Sequence, residues 1–141
     1  MIQKAEEIAL YSAPNIMLFN LMAAANAGLK NLDCAIENFQ KVLEINPQDA
    51  VAYYNIGNIY KEKEEYDAEI ESYKKALSIK PDHAESYNNM GSALKAKGDL
   101  TAAIDSFEQA LKIKPNFAKA HYNLGVALQE KGEIDAAIVD A

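Results

Sequence analysis

Three asparagines, Asn55, Asn89 and Asn123, stand 34 residues apart. An amide side chain carries both hydrogen-bond donors and an acceptor. Repeated at a fixed interval, such groups can hold the backbone of an extended peptide with little regard for its side chains. The same amides can equally bond local groups, and both readings are open. Groups for covalent chemistry do not assemble. No nucleophile–base pair can be built from these residues, and no Gly-rich phosphate loop follows a strand. His83 and His121 have no second His or Cys at ligand spacing, so neither a metal nor another cofactor is expected. The chain reads as a binding module and not as an enzyme.

The elements that position the amides follow from the same interval. Pro47, Pro81 and Pro115 keep the 34-residue step, as do Gly57, Gly91 and Gly125, the ring residues Phe39, Tyr73 and Phe107, and Ile36, Ile70, Ile104 and Ile138. A period of this length means stacked copies of one small unit. The expected units are 16–49 (divergent), 50–83, 84–117 and 118–141 (truncated), after a lone helix within 1–15. First helices are expected near 16–29, 50–63, 84–97 and 118–131. Second helices are expected near 33–45, 67–79 and 101–113, and from 134 onward. Tyr87, Met90, Gly91 and Leu94 recur at steps of three and four, which puts them on one helical face. A mid-helix Gly costs about 1 kcal/mol relative to Ala. Gly57, Gly91 and Gly125 are therefore expected where helices approach closely, with Ala103 and Ala137 received there. The prolines end the second helices, and Asp82 and Asn116 are expected as N-caps. Lys97-Gly98-Asp99 and Lys131-Gly132-Glu133 read as tight turns within each pair.

Composition bounds the partners. The 141 residues are 50% hydrophobic and 25% charged, with net charge −7. All the cations are lysines, without a block, so nucleic acid is not expected as a partner. No apolar run approaches the ~18 residues of a membrane helix, so no membrane insertion is expected. One cysteine, Cys34, excludes an internal disulfide framework and fits a reducing, cytoplasmic compartment. It is expected to pack beside Ala35.

Tyr87-x-x-Met90-Gly91-x-x-Leu94, followed by Ala103-x-x-x-Phe107-x-x-Ala110 and Pro115, resembles the tetratricopeptide repeat (TPR). The resemblance covers about residues 16–141 and recurs in register. It implies an all-α, right-handed superhelical solenoid of stacked antiparallel helix pairs, whose first helices line a concave groove. The wording is most similar to repeats of O-GlcNAc-transferase-type and bacterial arrays. In the former, Asn at the place of Asn55, Asn89 and Asn123 forms a ladder along the groove. TPR domains that grip chaperone C-termini use a five-residue clamp, matched here by Tyr54, Asn58, Asn89, Lys119 and Asn123. Tyr54 and Asn123 replace cations of that clamp, which disfavours carboxylate capture. Val51, Lys61, Glu62, Glu85, Asn88, Ser92, Lys95, Tyr122, Val126, Gln129 and Glu130 are further groove positions. Tyr54 and Tyr122 serve either as anchors or as packing between units.

The implied function is a protein–protein interaction scaffold that binds an extended or helical peptide segment. The alternatives are a substrate-recruiting region of a larger enzyme, such as a glycosyltransferase, or a homotypic assembly module. Met17, Asn20, Ala24 and Ala27 give the first unit a more apolar face. Ala136, Ala137, Ile138 and Val139 have nothing downstream to cover them. The chain thus reads as a segment of a longer protein, with homo-oligomer formation through its terminal helices as an option. Glu69 breaks the pattern: Ala35, Ala103 and Ala137 hold its position in the other units. An unpaired buried carboxylate is costly, so Glu69 is expected to reach the edge or pair with a lysine.

Overall fold

The computed structural model describes the backbone of residues 2–140 and the side chains of residues 15–138. Seven α-helices and no strand lie among them: α1 Ile2–Gly28, α2 Leu32–Ile45, α3 Ala50–Glu62, α4 Tyr66–Ile79, α5 Ala84–Ala96, α6 Leu100–Ile113 and α7 Ala118–Asp140. Each helix packs chiefly on its neighbours in the chain, and α5 also touches α7. Local packing of this kind defines a solenoid. Its core is accordingly a row of small clusters. Ala23, Ala35, Phe39 and Ile56 join α1, α2 and α3. Ile70, Tyr73, Leu77 and Met90 join α4 to α5, and Ala103, Phe107 and Ala127 join α6 to α7.

The connections repeat as faithfully as the helices. Lys30, Glu64 and Gly98, 34 residues apart, all take positive φ (64°, 58° and 90°) just after a first helix. This left-handed residue stops the helix, and only the third copy uses glycine, the residue that adopts it without strain. Asp49 and Asp99 cap α3 and α6 by accepting from Ala52 N (3.1 Å) and Ala102 N (3.2 Å). The expected caps, Asp82 and Asn116, do not cap: His83 is the N-cap of α5 and Ala118 opens α7. The helices themselves start at 84 and 118, where the sequence suggests.

Gly57 and Gly91 do mark close approaches, but the group received is a ring. A Cβ on Gly57 would lie 2.5 Å from Tyr73 Cε1, and one on Gly91 2.6 Å from Phe107 Cε1. Ala103 is buried elsewhere in the α6–α7 cluster. Gly125 has nothing within 4 Å of its Cβ position.

That difference explains the largest departure from the expected layout. The turn at Lys131-Gly132-Glu133 does not form, and α7 continues through it to Asp140. In units two and three, the helix after the turn brings a ring onto the glycine of the first helix. Ala141 stands in register with Tyr73 and Phe107, so folding this stretch back would bring no ring onto Gly125. The inter-unit tie is missing too. Lys63 bridges Asp33 (2.6 Å) and Lys97 bridges Asp67, but Thr101 stands where Lys131 would need an acid, and Lys131 pairs with Asp135 on its own helix at 3.3 Å. At the other end, α1 runs unbroken through Pro14, where a separate helix over 2–12 was expected. Pro14 removes one backbone donor, but its neighbours Ala13 and Asn15 offer no glycine for a turn.

Candidate functional site

The first helices α3, α5 and α7 carry the candidate amides, and a chain of hydrogen bonds joins them across three units. Asn123 Nδ2 donates to Asn88 Oδ1 at 3.0 Å. Asn88 Nδ2 donates to Asn89 Oδ1 at 3.5 Å. Asn89 Nδ2 donates to Asn58 Oδ1 at 3.2 Å and to Tyr54 Oη at 3.3 Å. Asn58 Oδ1 also accepts from the Tyr73 hydroxyl at 2.7 Å. Asn89 and Asn123 are thus linked through Asn88 rather than stacked directly, and Asn55, half-buried on α3, lies outside these bonds. Asn88 is 4% exposed. Sequence reasoning placed it on the groove, but its amide serves the network from beneath.

Above this network lies an open concavity of about 590 Å³, lined by Tyr54, Asn58, Lys61, Glu62, Glu64, Glu85, Asn89 and Lys119. It brings together Tyr54, Asn58, Asn89 and Lys119 of the candidate set. Tyr122 stands apart, 73% exposed on α7. Tyr54 is held by rings on both sides. Tyr73 lies 5.9 Å away at 42°, and His83 meets it edge-on at 4.8 Å. His83 is fixed in turn by a 2.6 Å hydrogen bond between its Nδ1 and Ser86 Oγ. Burial, then nearby Lys80, holds the His83 imidazole below its ordinary value, so it stays neutral at physiological pH. The rim carries three carboxylates (Glu62, Glu64 and Glu85) against the ammonium groups of Lys61 and Lys119.

The floor of the site holds two polar groups that unit two alone possesses. Tyr73 is fully buried where units one and three have phenylalanine. Burial first, then Glu69 and Tyr54, pushes its hydroxyl far above the phenol range, so it remains a donor. Glu69 is 1% exposed. It neither reaches the edge nor pairs with a lysine, and its Oε1 accepts no hydrogen bond from the protein. Burial pushes its carboxyl up to about 7, against the opposing pull of Lys61 and the Tyr73 hydroxyl. Sequence reasoning missed the Tyr73 hydroxyl and Glu64. The signal for Tyr73 was a tyrosine at a phenylalanine position, one helical turn from a glutamate at an alanine position.

Other candidates fall away from this centre. Cys34 is exposed instead of packed beside Ala35. His121, at a position that is aromatic in the other units, is exposed and bonds Pro115 O through Nε2 at 2.7 Å. Among the described residues, no group of His, Cys, Asp and Glu could hold a metal ion, and no helix is long and apolar enough to cross a membrane.

Consecutive helix pairs with a polar seam along their first helices define a helical-repeat protein. The chain belongs to the tetratricopeptide repeat family: the family model described as TPR repeat matches residues 29–63, 57–98 and 91–132. Its fold is the all-α TPR solenoid. Among solved structures it is similar to MamA protein, with 28% identity, 89% of this chain and 69% of that one covered, and a TM-score of 0.79. It is similar to a mutant O-GlcNAc transferase of Thermobaculum terrenum at 25% identity and TM-score 0.74, over 84% of this chain but 23% of that enzyme. The first TPR of Spaghetti (RPAP3), bound to the HSP90 peptide SRMEEVD, shares the fold at 18% identity and TM-score 0.79, over 84% of this chain and 94% of that one. No curated protein matches the chain significantly.

Proposed function

We propose that the chain is a protein-interaction scaffold that captures an extended segment of a partner in the concavity between α3, α5 and α7. The observation that carries this reading is the amide network under the open site. Asn58, Asn89 and Asn123 are fixed by one another and by Tyr54, Tyr73 and Asn88. A pre-organised polar surface binds with less ordering cost than a mobile one. The amides would fix the partner's backbone, while Tyr54, Lys119 and the rim acids would select among side chains. Tyr122 and Asn55 extend this surface. Units 50–83 and 84–117 supply the walls α3 and α5, the stretch 118–141 supplies α7, and the divergent unit 16–49 flanks the site. The peptide-bound RPAP3 domain supports the mode of binding, but not its chemistry. Three carboxylates against two lysines make this rim a poor receptor for an acidic tail.

The experiment is selection of random 12-residue peptides on the whole chain, followed by affinity measurement on Asn89→Ala. Selected peptides are expected to lose about tenfold in affinity with helix content unchanged. Equal affinity would remove the amides from the site.

A second reading, recruitment of substrates for a larger transferase, is favoured by the likeness to the Thermobaculum terrenum enzyme. A glycosyltransferase domain in the same polypeptide would decide for it. Exposed Met17, Leu18 and Leu21 on α1 and Leu128, Ile134 and Ile138 on α7 support homotypic assembly. Light scattering over a concentration series tests that third reading, and a strict monomer at high concentration removes it.

A further inference from the structure

Glu69 occupies the position that Ala35 and Ala103 fill, fully buried, in the neighbouring units. The helix that faces it, α5, is locally small. Glu69 lines a cavity of about 240 Å³ together with Ser92, Ala93 and Ala96 of α5 and with Lys61, Glu64 and Tyr66 at the α3–α4 turn. The small residues recur in unit one as Ala24, Ala25 and Gly28, but not in unit two and only in part in unit four. The corresponding positions are Asn58, Ile59 and Glu62 in unit two, and Val126, Ala127 and Glu130 in unit four. The cavity therefore lies where an acid of unit two meets small residues of unit three. It also adjoins the groove. Lys61 and Glu64 line the main concavity as well, and Ser92 and Ala96 line the next hollow, beside Asn123.

We infer that this Glu69 cavity is a subsite of the groove that takes one basic side chain, lysine or arginine, from the bound segment. The inference rests on the groove reading above and adds its selectivity. Glu69 Oε1 is a buried acceptor without a protein donor, and a buried polar group without a partner is costly. An incoming ammonium or guanidinium supplies the missing donor as a charge-assisted hydrogen bond. The groups facing Glu69 favour a cation on balance. Lys61 and Glu64 come from the α3 end and its turn, Tyr66 and the Tyr73 hydroxyl from α4, and Ser92, whose hydroxyl donates to Asn88 O at 3.3 Å, from α5. The one lysine is matched by Glu64, which leaves the Glu69 carboxyl for the ligand. The aliphatic stem of a lysine or arginine would lie against Ala93 and Ala96.

Binding a cation favours the ionised carboxyl, so capture should release a proton where Glu69 is still largely protonated, below about pH 7. Affinity for a basic segment is then lower at pH 6 than at pH 8.

The test uses peptides selected on the whole chain from a random library. The account expects one position enriched in lysine or arginine. Glu69→Gln and peptide Lys→Met should each weaken binding about tenfold, with no further loss when combined. The difference between pH 6 and pH 8 should vanish in Glu69→Gln. Glu69→Ala, which restores the residue type of positions 35 and 103, is the second variant and should behave alike while remaining folded. Peptides that need Asn89 but bind wild type and both Glu69 variants equally would overturn the subsite and leave the groove standing. Failure to select any peptide would overturn both.

Discussion

The Tyr73 hydroxyl donates to Asn58 Oδ1 at 2.7 Å, which ties the buried second helix of unit two to the exposed face of its first. The ring of Tyr73 does the packing that Phe39 and Phe107 do in the adjacent units. Its oxygen reaches through the helix pair to fix the first amide of the network. A core position thus sets the geometry of a surface site.

Tyr73→Phe separates the two roles. The ring keeps its place against Gly57 while Asn58 loses its shorter hydrogen bond. Urea unfolding should show a loss of about 1 kcal/mol. Peptide affinity should fall as well, because Asn58 is then free to turn. A variant as stable as wild type would mean that the hydroxyl contributes nothing net.

The glycines should divide by their surroundings. Gly91→Ala places a methyl group 2.6 Å from Phe107 and should cost about 1–3 kcal/mol. Gly125→Ala meets nothing within 4 Å and should stabilise α7 by up to about 1 kcal/mol through helix propensity. Thermal melts of the two variants check the contrast, and equal effects would contradict it.

Glu69 gives stability an unusual pH dependence. A carboxyl raised from 4.5 to about 7 binds its proton more tightly in the folded chain than in the unfolded one. Its contribution is most favourable below 4.5 and falls as pH rises from 4.5 to about 7. His83, lowered from 6.5, acts in the opposite sense, with stability gained as pH rises through that value. The difference between wild type and Glu69→Gln isolates the carboxyl. That gap should widen in favour of the glutamine from pH 5 to pH 8, and a constant gap would deny the shift. Glu69→Ala should be more stable than wild type at pH 8, by about 1 kcal/mol or more.

Asn88→Ala removes the link between α5 and α7. Asn123 Nδ2 and Asn89 Oδ1 lose their shared partner, at a cost of about 1–2 kcal/mol. Hydrogen exchange should quicken first in α7, the helix that loses this link. Uniform exchange across all helices would contradict this.

Periodicity made the solenoid readable, because units two and three repeat the same ring, glycine and proline in register. The same logic misplaced the fourth unit. Its glycines, Gly125 and Gly132, keep the register, but Ala141 stands where Tyr73 and Phe107 bring a ring, and a turn needs something to fold back onto. At Pro14 a breaker residue alone did not end a helix. In the site, Asn58 and Asn89 could be placed on the first-helix faces from spacing. Whether an amide faces the groove or a neighbouring amide depends on side-chain partners up to 35 residues away, such as Asn88 and Asn123, and spacing does not encode that choice. The Glu69 cavity was half visible: the glutamate stood out, but the small residues that make room for it lie on another unit.

Chemical-shift mapping with a selected peptide tests the central claim most directly. The account predicts perturbations at Tyr54, Asn58, Asn89 and Lys119, with Tyr53, Tyr60 and Lys75, which line a separate hollow between α2, α3 and α4, unmoved. Perturbations centred on the latter three, with the four groove residues silent, would contradict it.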